Sequence, residues 1–280
     1  MKGFRNHGLI GSVCSFAAAV TLAAAVTPIV ILLVQAGGVL DFGFLVGTPS
    51  RFAAQAGVGP ALAGTLWLTL LTAALACPVG VGAAVYFAEY APRTRAVQAI
   101  ESAVSNLAGV PPLVFGVTGL ALYVRGLGLG PTVLAGGLTL AMLALPTVVV
   151  TSKEAIRQVP AGVRAAAYAL GATRWEVLRR QVLPAAAPGI LTGVTLALAR
   201  TAGAAAPLLV IGAASFITYA PATPGDLLVA LPTQVFAWSA RSQPGFAALA
   251  AAAGVVLLAL LLVLHLASLA LRRRLAGAAR

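Results

Sequence analysis

The sequence predicts an all-α membrane protein with six transmembrane helices, and three observations carry that prediction. Hydrophobic residues fill 60% of the 280 positions and charged residues only 9%, whereas soluble domains hold about 45–50% apolar and about 25% charged residues. Mean hydropathy is +1.00, and the apolar residues gather into runs that meet the roughly 20 residues a membrane helix needs. The charges fall between those runs and not along one face of a folded domain. The net charge of +12 therefore reads as the asymmetry of membrane loops, not as a nucleic-acid surface.

In order, the spans cover roughly residues 9–35, 61–88, 102–124, 131–152, 187–213 and 246–271. The first follows Lys2 and Arg5, as a signal peptide would. Its apolar run of about 26 residues far exceeds the roughly 7–15 of a signal core, so it reads as a retained span. The glycine-rich stretch Gly126–Gly130 between spans three and four, ended by Pro131, has the wrong spacing for a nucleotide loop and reads as a turn. Thirty glycines and alanine strings such as Ala251–Ala253 allow either close helix approach in lipid or a simple bias of composition.

Orientation follows from the basic residues. One side receives Lys2, Arg5, Arg93, Arg95, Lys153, Arg157, Arg164, Arg174, Arg179, Arg180, Arg272, Arg273, Arg274 and Arg280, fourteen in all. The other receives three, Arg51, Arg125 and Arg241. The positive-inside rule puts both termini in the cytoplasm, with Arg272–Arg274 as a stop-transfer cluster. Arg200 alone lies within a span.

Catalytic chemistry is not expected of this chain. Cys14 and Cys77 both lie in apolar runs and the two histidines, His7 and His265, are far apart, so neither a disulfide framework nor a metal site is predicted. No phosphate-binding P-loop, nucleophile elbow or zinc motif occurs. The six acids, Asp41, Glu89, Glu101, Glu154, Glu176 and Asp226, sit at span edges or in loops.

The connection 153–186 is the longest on the basic side and reads as two short helices. Pro160 suits the first turn of one, Ala165–Ala167 continue it, and Gly171 suits the position after its end. Thr173-Arg174-Trp175-Glu176 has the spacing of a capping box and starts a second helix, expected to stop before Pro184. There Trp175, Leu178 and Val182 share one apolar stripe. The pattern suits either a helix lying on anionic lipid or a plug for a groove on a soluble partner.

Ala165-Ala166-Ala167-x3-Gly171, with Leu183-Pro184 downstream, resembles the Glu-Ala-Ala-x3-Gly-x9-Ile-x-Leu-Pro loop of permeases from binding-protein-dependent ABC importers. Ala165 replaces the family glutamate and Gln181 the family isoleucine. Further stretches resemble the phosphate-specific importer permeases of the A type. These are Leu40-Asp41-Phe42 with Gly47-Thr48-Pro49, Gly64-Thr65-Leu66, Ala83 to Ala91, Gly109-Val110-Pro111-Pro112, and Ala230 to Trp238 with Gln243-Pro244. Together they run from about residue 40 to 246.

The resemblance implies a type I ABC importer permease fold. Residues 1–60 would form an N-terminal helix and outer loop, 61–271 the transmembrane domain, and 272–280 a cytoplasmic tail. It implies phosphate transport across the inner membrane, with cytoplasmic ATPase subunits, a second homologous permease and an extracytoplasmic phosphate-binding protein as partners. ATP and magnesium would sit on the ATPase, with no cofactor in this chain. Ala165, Ala166, Gly171, Thr173, Trp175 and Leu178 would couple to that ATPase. Permeation of another oxyanion, molybdate or sulfate, and a non-transporting regulatory subunit are the alternatives.

Arg200 is the main candidate for the substrate path. A centred Arg costs about 2.5–3.5 kcal/mol, which nine Leu, Ile and Val residues of the span, at about 0.3–0.6 kcal/mol each, barely cancel. Its five-donor fork suits an oxyanion, although an arginine that holds a helix or subunit interface together fits as well. The family pattern Ala-Arg-x-x-Gly-Glu-Thr-Ala-Pro becomes Ala199-Arg200-Thr201-Ala202-Gly203-Ala204-Ala205-Ala206-Pro207. Ala204, expected one helical turn from Arg200, takes the place of a countercharge. Arg125 at the outer end of span three, and Thr65 and Thr69 in span two, are further path candidates. For these, headgroup anchoring and backbone hydrogen bonding are the competing roles. Trp67 and Trp238 read as packing residues.

Overall fold

Helix is the conformation these apolar runs need, because in lipid it alone pairs each N–H and C=O within one segment. The computed structural model describes residues 5–213 and 216–278. Lys2 and Arg280 of the basic count lie outside them. Five helices of the described residues are long and apolar enough to cross a membrane, and a bent helix pair makes six if counted as one crossing.

The first run forms α1 (Arg5–Ala36), exposed along nearly all of residues 11–35. Short α2 (Phe42–Val46) begins at Asp41, whose carboxylate accepts from the Phe44 N–H at 2.6 Å. In α3 (Gly59–Val85), Pro60 occupies the first turn, where its missing N–H costs nothing, and the helix widens into a π-helical turn over Tyr86–Tyr90.

The third span is not the single rod expected over 102–124. Amphipathic α4 (Arg95–Leu107) and α5 (Pro112–Gly119), the latter continued by a π-helical turn over Leu120–Gly126, meet at 102°. Pro111 and Pro112 force the break, since each lacks an N–H and biases its predecessor away from helix. Val97, Ile100, Val104 and Leu107 form one face of α4, with Gln98, Glu101 and Ser105 off it, the pattern of a helix lying at a boundary.

Helix α6 (Val133–Arg157), capped by Thr132, outruns the expected end at 152 by one turn. It is followed by α7 (Ala161–Ala169) and α8 (Arg174–Val177). Pro160 stands at the N-cap of α7, one position before its first turn. The expectation of a stop before Pro184 is corrected. From α8 the chain passes through a π-helical turn, Leu178–Val182, directly into α9 (Leu183–Ala202), and Pro184 falls in the first turn of α9, where it is tolerated.

The fifth span is also corrected: α9 ends at Ala202 instead of running to 213, and α10 (Ala205–Val210) follows after Gly203 and an extended Ala204. Finally come α11 (Leu231–Ser239) and α12 (Phe246–Ala278).

Helices α3, α6 and α9 pack as the central trio; α5 and α10 flank α6, and α1 leans chiefly on α12. Small residues set the spacing of the trio. A side chain on Gly189 would meet the Ala155 methyl at 2.8 Å, and one on Gly193 would overlap the Thr151 hydroxyl. Ala76, Ala141, Ala144, Val148 and Ala197 fill the layer between. Close helix approach is thus what these glycines and alanines provide here.

At the end opposite the arginine-rich one, the segment before α11 is sewn onto the bundle. Val133 and Leu134, whose N–H groups begin α6, donate to the carbonyls of Asp226 (2.9 Å) and Pro224 (2.8 Å), and Leu228 N–H donates to Pro131. Trp67 Nε1 donates to Pro221 O at 3.1 Å, and Leu231 N–H donates to Thr65 Oγ1 at 2.8 Å.

Candidate functional site

Two regions gather the candidate residues, a loop at the arginine-rich end and a helix break near the centre.

The loop is locally determined. Thr173 Oγ1 accepts from the Glu176 N–H, and the Glu176 carboxylate accepts from Thr173 N–H at 2.9 Å, a complete capping box. Gly171, at φ +82°, takes the left-handed position after α7 that glycine favours. Ala165 and Ala166 are exposed on α7. Leu170, 90% exposed, and Trp175, 58% exposed, project outward with Val163 and Tyr168. A cavity of about 600 Å³ between α7 and α8 is lined by Ala166, Leu170, Gly171, Glu176 and Arg180 among others.

The expected stripe of Trp175, Leu178 and Val182 is split. Leu178 and Val182 are buried with Val177 against Ile156 and Val159, while Trp175 points away from them. The π-helical turn explains it: an extra residue in the turn rotates the following side chains relative to α8.

Ion pairs absent from the sequence reading fix the loop to the bundle. Arg164 on α7 donates from Nη2 and Nε to Glu89 Oε1 at 2.8 and 3.2 Å. The same guanidinium donates to the carbonyls of Ile156 (2.9 Å) and Val159, capping the end of α6. Lys153 pairs with Glu101 of α4 at 3.1 Å and Arg157 reaches the same carboxylate at 3.6 Å. Arg174 lies over the Tyr90 ring at 5.9 Å. The sequence did hold a signal: Glu89, Glu101, Glu154 and Glu176 all fall on the side that collects the arginines.

Arg200 stands in the last turn of α9. Gly189 faces Ala155 and Gly193 faces Thr151, an antiparallel register that puts Arg200 level with Ala144, at the middle of α6. Its side chain is exposed on the single chain and makes no ion pair or hydrogen bond among the described residues. Ala204 does not share its helical face, because α9 has already ended. The partial negative charge of that helix end favours a cation by about 0.3–1 kcal/mol. Thr192, Leu196 and Arg200 form an exposed stripe of α9, with Arg272 of α12 reaching the Thr192 hydroxyl at 3.4 Å.

Thr65 is buried and spends its hydroxyl on structure, donating to Ala61 O and accepting from Leu231 N–H. Thr69 donates to Thr65 O. Arg125, in the π-helical turn after α5, is exposed. These three lie on or after α3 and α5, whereas Arg200 lies at the end of α9. Cys77 and Cys14 are free thiols, and no cluster of metal-ligating side chains occurs among the described residues.

Long apolar helices, a broken span with a central arginine, and an exposed apolar knob at one end mark a multi-pass membrane protein. The fold agrees with solved ABC transporters. One is a bacterial alginate ABC transporter in complex with an alginate pentasaccharide-bound periplasmic protein, with TM-score 0.69 and 17% identity over 98% of this chain and 96% of that one. Another is the MetNI methionine ABC transporter, with TM-score 0.62 and 19% identity over 76% and 93%. Residues 76–277 match the binding-protein-dependent transport system inner membrane component, and the chain belongs to that family.

Among curated relatives, the phosphate transport system permease protein PstA 1 of Mycobacterium tuberculosis H37Rv is 40% identical over 163 residues, 58% of this chain and 52% of that protein. The probable ABC transporter permease YqgI of Bacillus subtilis is 36% identical over 170 residues, 61% and 58%. The chain spans a little over half the length of these relatives.

Proposed function

We propose that this chain is one membrane-spanning subunit of an ATP-driven importer of inorganic phosphate, working beside a second permease. The observation that carries the reading is the loop of α7 and α8. Its apolar knob of Leu170, Tyr168 and Trp175 is exposed yet held rigid by a capping box, a glycine turn and the Arg164–Glu89 pair. Such a surface fits a groove on a soluble subunit, and in this reading that subunit is the ATPase, which holds ATP and magnesium. The names of the relatives at 40% identity support phosphate as the substrate. The arginine count supports a cytoplasmic position for the loop and both termini.

Arg200 in this reading lines the anion path. Its central depth, its lack of a protein counter-anion among the described residues, and the helix break beside it support the assignment, since discontinuous helices in transporters commonly form substrate sites. Arg125 would guide the anion inward from the opposite end. The test is reconstitution with the ATPase subunits, the second permease and a phosphate-binding protein, followed by phosphate uptake and ATP turnover. Uptake of phosphate over sulfate and molybdate is expected. Arg200→Lys is expected to lose uptake, because lysine lacks the planar fork. Full uptake by that variant removes Arg200 from the path, and an assembled complex without phosphate-stimulated turnover removes the transport reading.

A further inference from the structure

Helix α4 keeps only part of its apolar arc inside the bundle. Val97 and Val104 are half-buried, whereas Ala96, Ala99, Ile100, Ala103 and Leu107 are exposed, Ile100 at 53% and Leu107 at 45%. The exposed five fall at i, i+3, i+4, i+7 and i+11, one continuous strip. The helix lies at 102° to α5, and Glu101 ties it to Lys153 and Arg157 in the last turns of α6. There α6 leaves its apolar run and its charges begin, so the strip lies along the edge of the hydrocarbon.

Positive charge is in surplus beside that strip. The cations here are Arg93, Arg95, Lys153, Arg157 and Arg164, and the acids are Glu89, Glu101 and Glu154. Every acid is engaged: Glu89 by Arg164, Glu101 by Lys153 and Arg157, and Glu154 by Arg157 at 4.0 Å. Arg93 and Arg95 are exposed, and neither side chain forms an ion pair or hydrogen bond among the described residues. An open cavity of about 730 Å³ at the start of α4 is lined by Arg93, Gln98, Arg157, Arg164 and the two paired acids Glu89 and Glu101. Val97 belongs both to the cavity wall and to the apolar arc, so the two surfaces adjoin.

We infer that α4 binds an anionic phospholipid, with the phosphate against Arg93 and Arg95 at the cavity mouth and the acyl chains along Ile100 and Leu107. The surface has the two-part character of that molecule: cations without a counter-anion at one end, a bare apolar strip running away from them. A soluble oxyanion satisfies the arginines and leaves the strip in water; a zwitterionic lipid covers the strip and brings no net charge. An anionic phospholipid does both, and an arginine fork matches its phosphate oxygens. Basic residues beside an apolar helix face at this depth draw anionic head groups in the same way. The inference concerns this chain and its bilayer, and holds whatever solute the chain carries.

The test uses the membrane complex that assembles on this full chain, purified in detergent. It is titrated with phosphatidylglycerol and with phosphatidylcholine of the same acyl chains, and bound lipid is counted by native mass spectrometry. The wild type is expected to prefer phosphatidylglycerol by about fivefold or more, and Arg93→Ala and Arg95→Ala each to lower that preference by about 3- to 5-fold. The double variant should bind the two lipids alike. Ile100→Ser with Leu107→Ser should weaken both lipids and leave their ratio unchanged. A fluorophore on Ile100→Cys, with Cys14 and Cys77 replaced by serine, should be quenched by brominated acyl chains. Thermal unfolding of each variant confirms that it is folded.

The inference is overturned if the folded double arginine variant keeps the wild-type preference for phosphatidylglycerol. It is equally overturned if inorganic phosphate displaces that lipid better than chloride does at equal ionic strength, for the arginines then hold a free anion. Absence of quenching at Ile100 in the assembled complex overturns it as well, because a protein subunit then covers the strip.

Discussion

Removing the Arg164 side chain tests whether the loop is mechanically joined to the bundle. Arg164→Ala deletes both bonds to Glu89 and the two that cap the Ile156 and Val159 carbonyls. Breaking a fully buried pair from one side costs about 3–5 kcal/mol. Arg164 is 20% and Glu89 17% exposed, so water reaches the orphaned carboxylate, and we expect about 2–3 kcal/mol after that discount. Glu89→Gln, which keeps a neutral acceptor, should cost about 1–2 kcal/mol. Arg164→Leu combined with Glu89→Leu should recover most of the loss, because two apolar side chains leave no charge behind. Reversible unfolding in mixed micelles measures the energies, and proteolysis of the 161–182 loop reports whether it has come loose. An Arg164→Ala loss below about 0.5 kcal/mol refutes the reasoning. So does strict additivity of Arg164→Ala and Glu89→Ala, since residues in one network should couple by about 0.5–3 kcal/mol.

Further outcomes follow from other contacts. Gly193→Val drives a side chain into Thr151 and should lower stability by about 1–3 kcal/mol, read by unfolding midpoint. Thr72→Val replaces a buried hydroxyl that meets no partner among the described residues and should leave stability equal or higher in the same assay. Trp175→Ala, at an exposed position, should leave unfolding unchanged while weakening co-purification with the ATPase subunit. The N–H groups of Thr223 and Ala222 hold the Asp226 carboxyl below the usual aspartate range. A depressed carboxyl stabilises above its unfolded value and loses that contribution as pH falls through the folded one. Proteolysis of the segment before α11 should therefore stay constant from pH 8 to about 5 and rise only below about pH 4; Asp226→Asn should already be loose at neutral pH.

What the sequence disclosed follows the range of the interactions. The Thr173–Glu176 box and the Gly171 turn involve neighbours, so spacing alone located them. The six apolar runs were legible for the same reason. The bend at α4 and α5 was signalled by Pro111-Pro112 but hidden by the length of the apolar run. The break after Ala202 carried only Gly203 as a sign, and assuming an unbroken helix gave Ala204 a face it does not have. The π-helical turn at Leu178–Val182 turned Trp175 out of the stripe that a regular helix assigns it. The Arg164–Glu89 pair and the Thr65–Leu231 tie join residues 75 or more positions apart, which no local pattern reports.

The uninterrupted passage from α8 through the π-helical turn into α9 has a mechanical corollary. Arg174 to Ala202 is one rod of 29 residues, and Arg200 rides about 39 Å along it from Arg174 at 1.5 Å per residue. A swing of about 10° about the Arg174 end carries the guanidinium sideways by about 7 Å, more than the width of a phosphate ion. The same shaft thus carries the α8 capping box at its foot and the cation at its head.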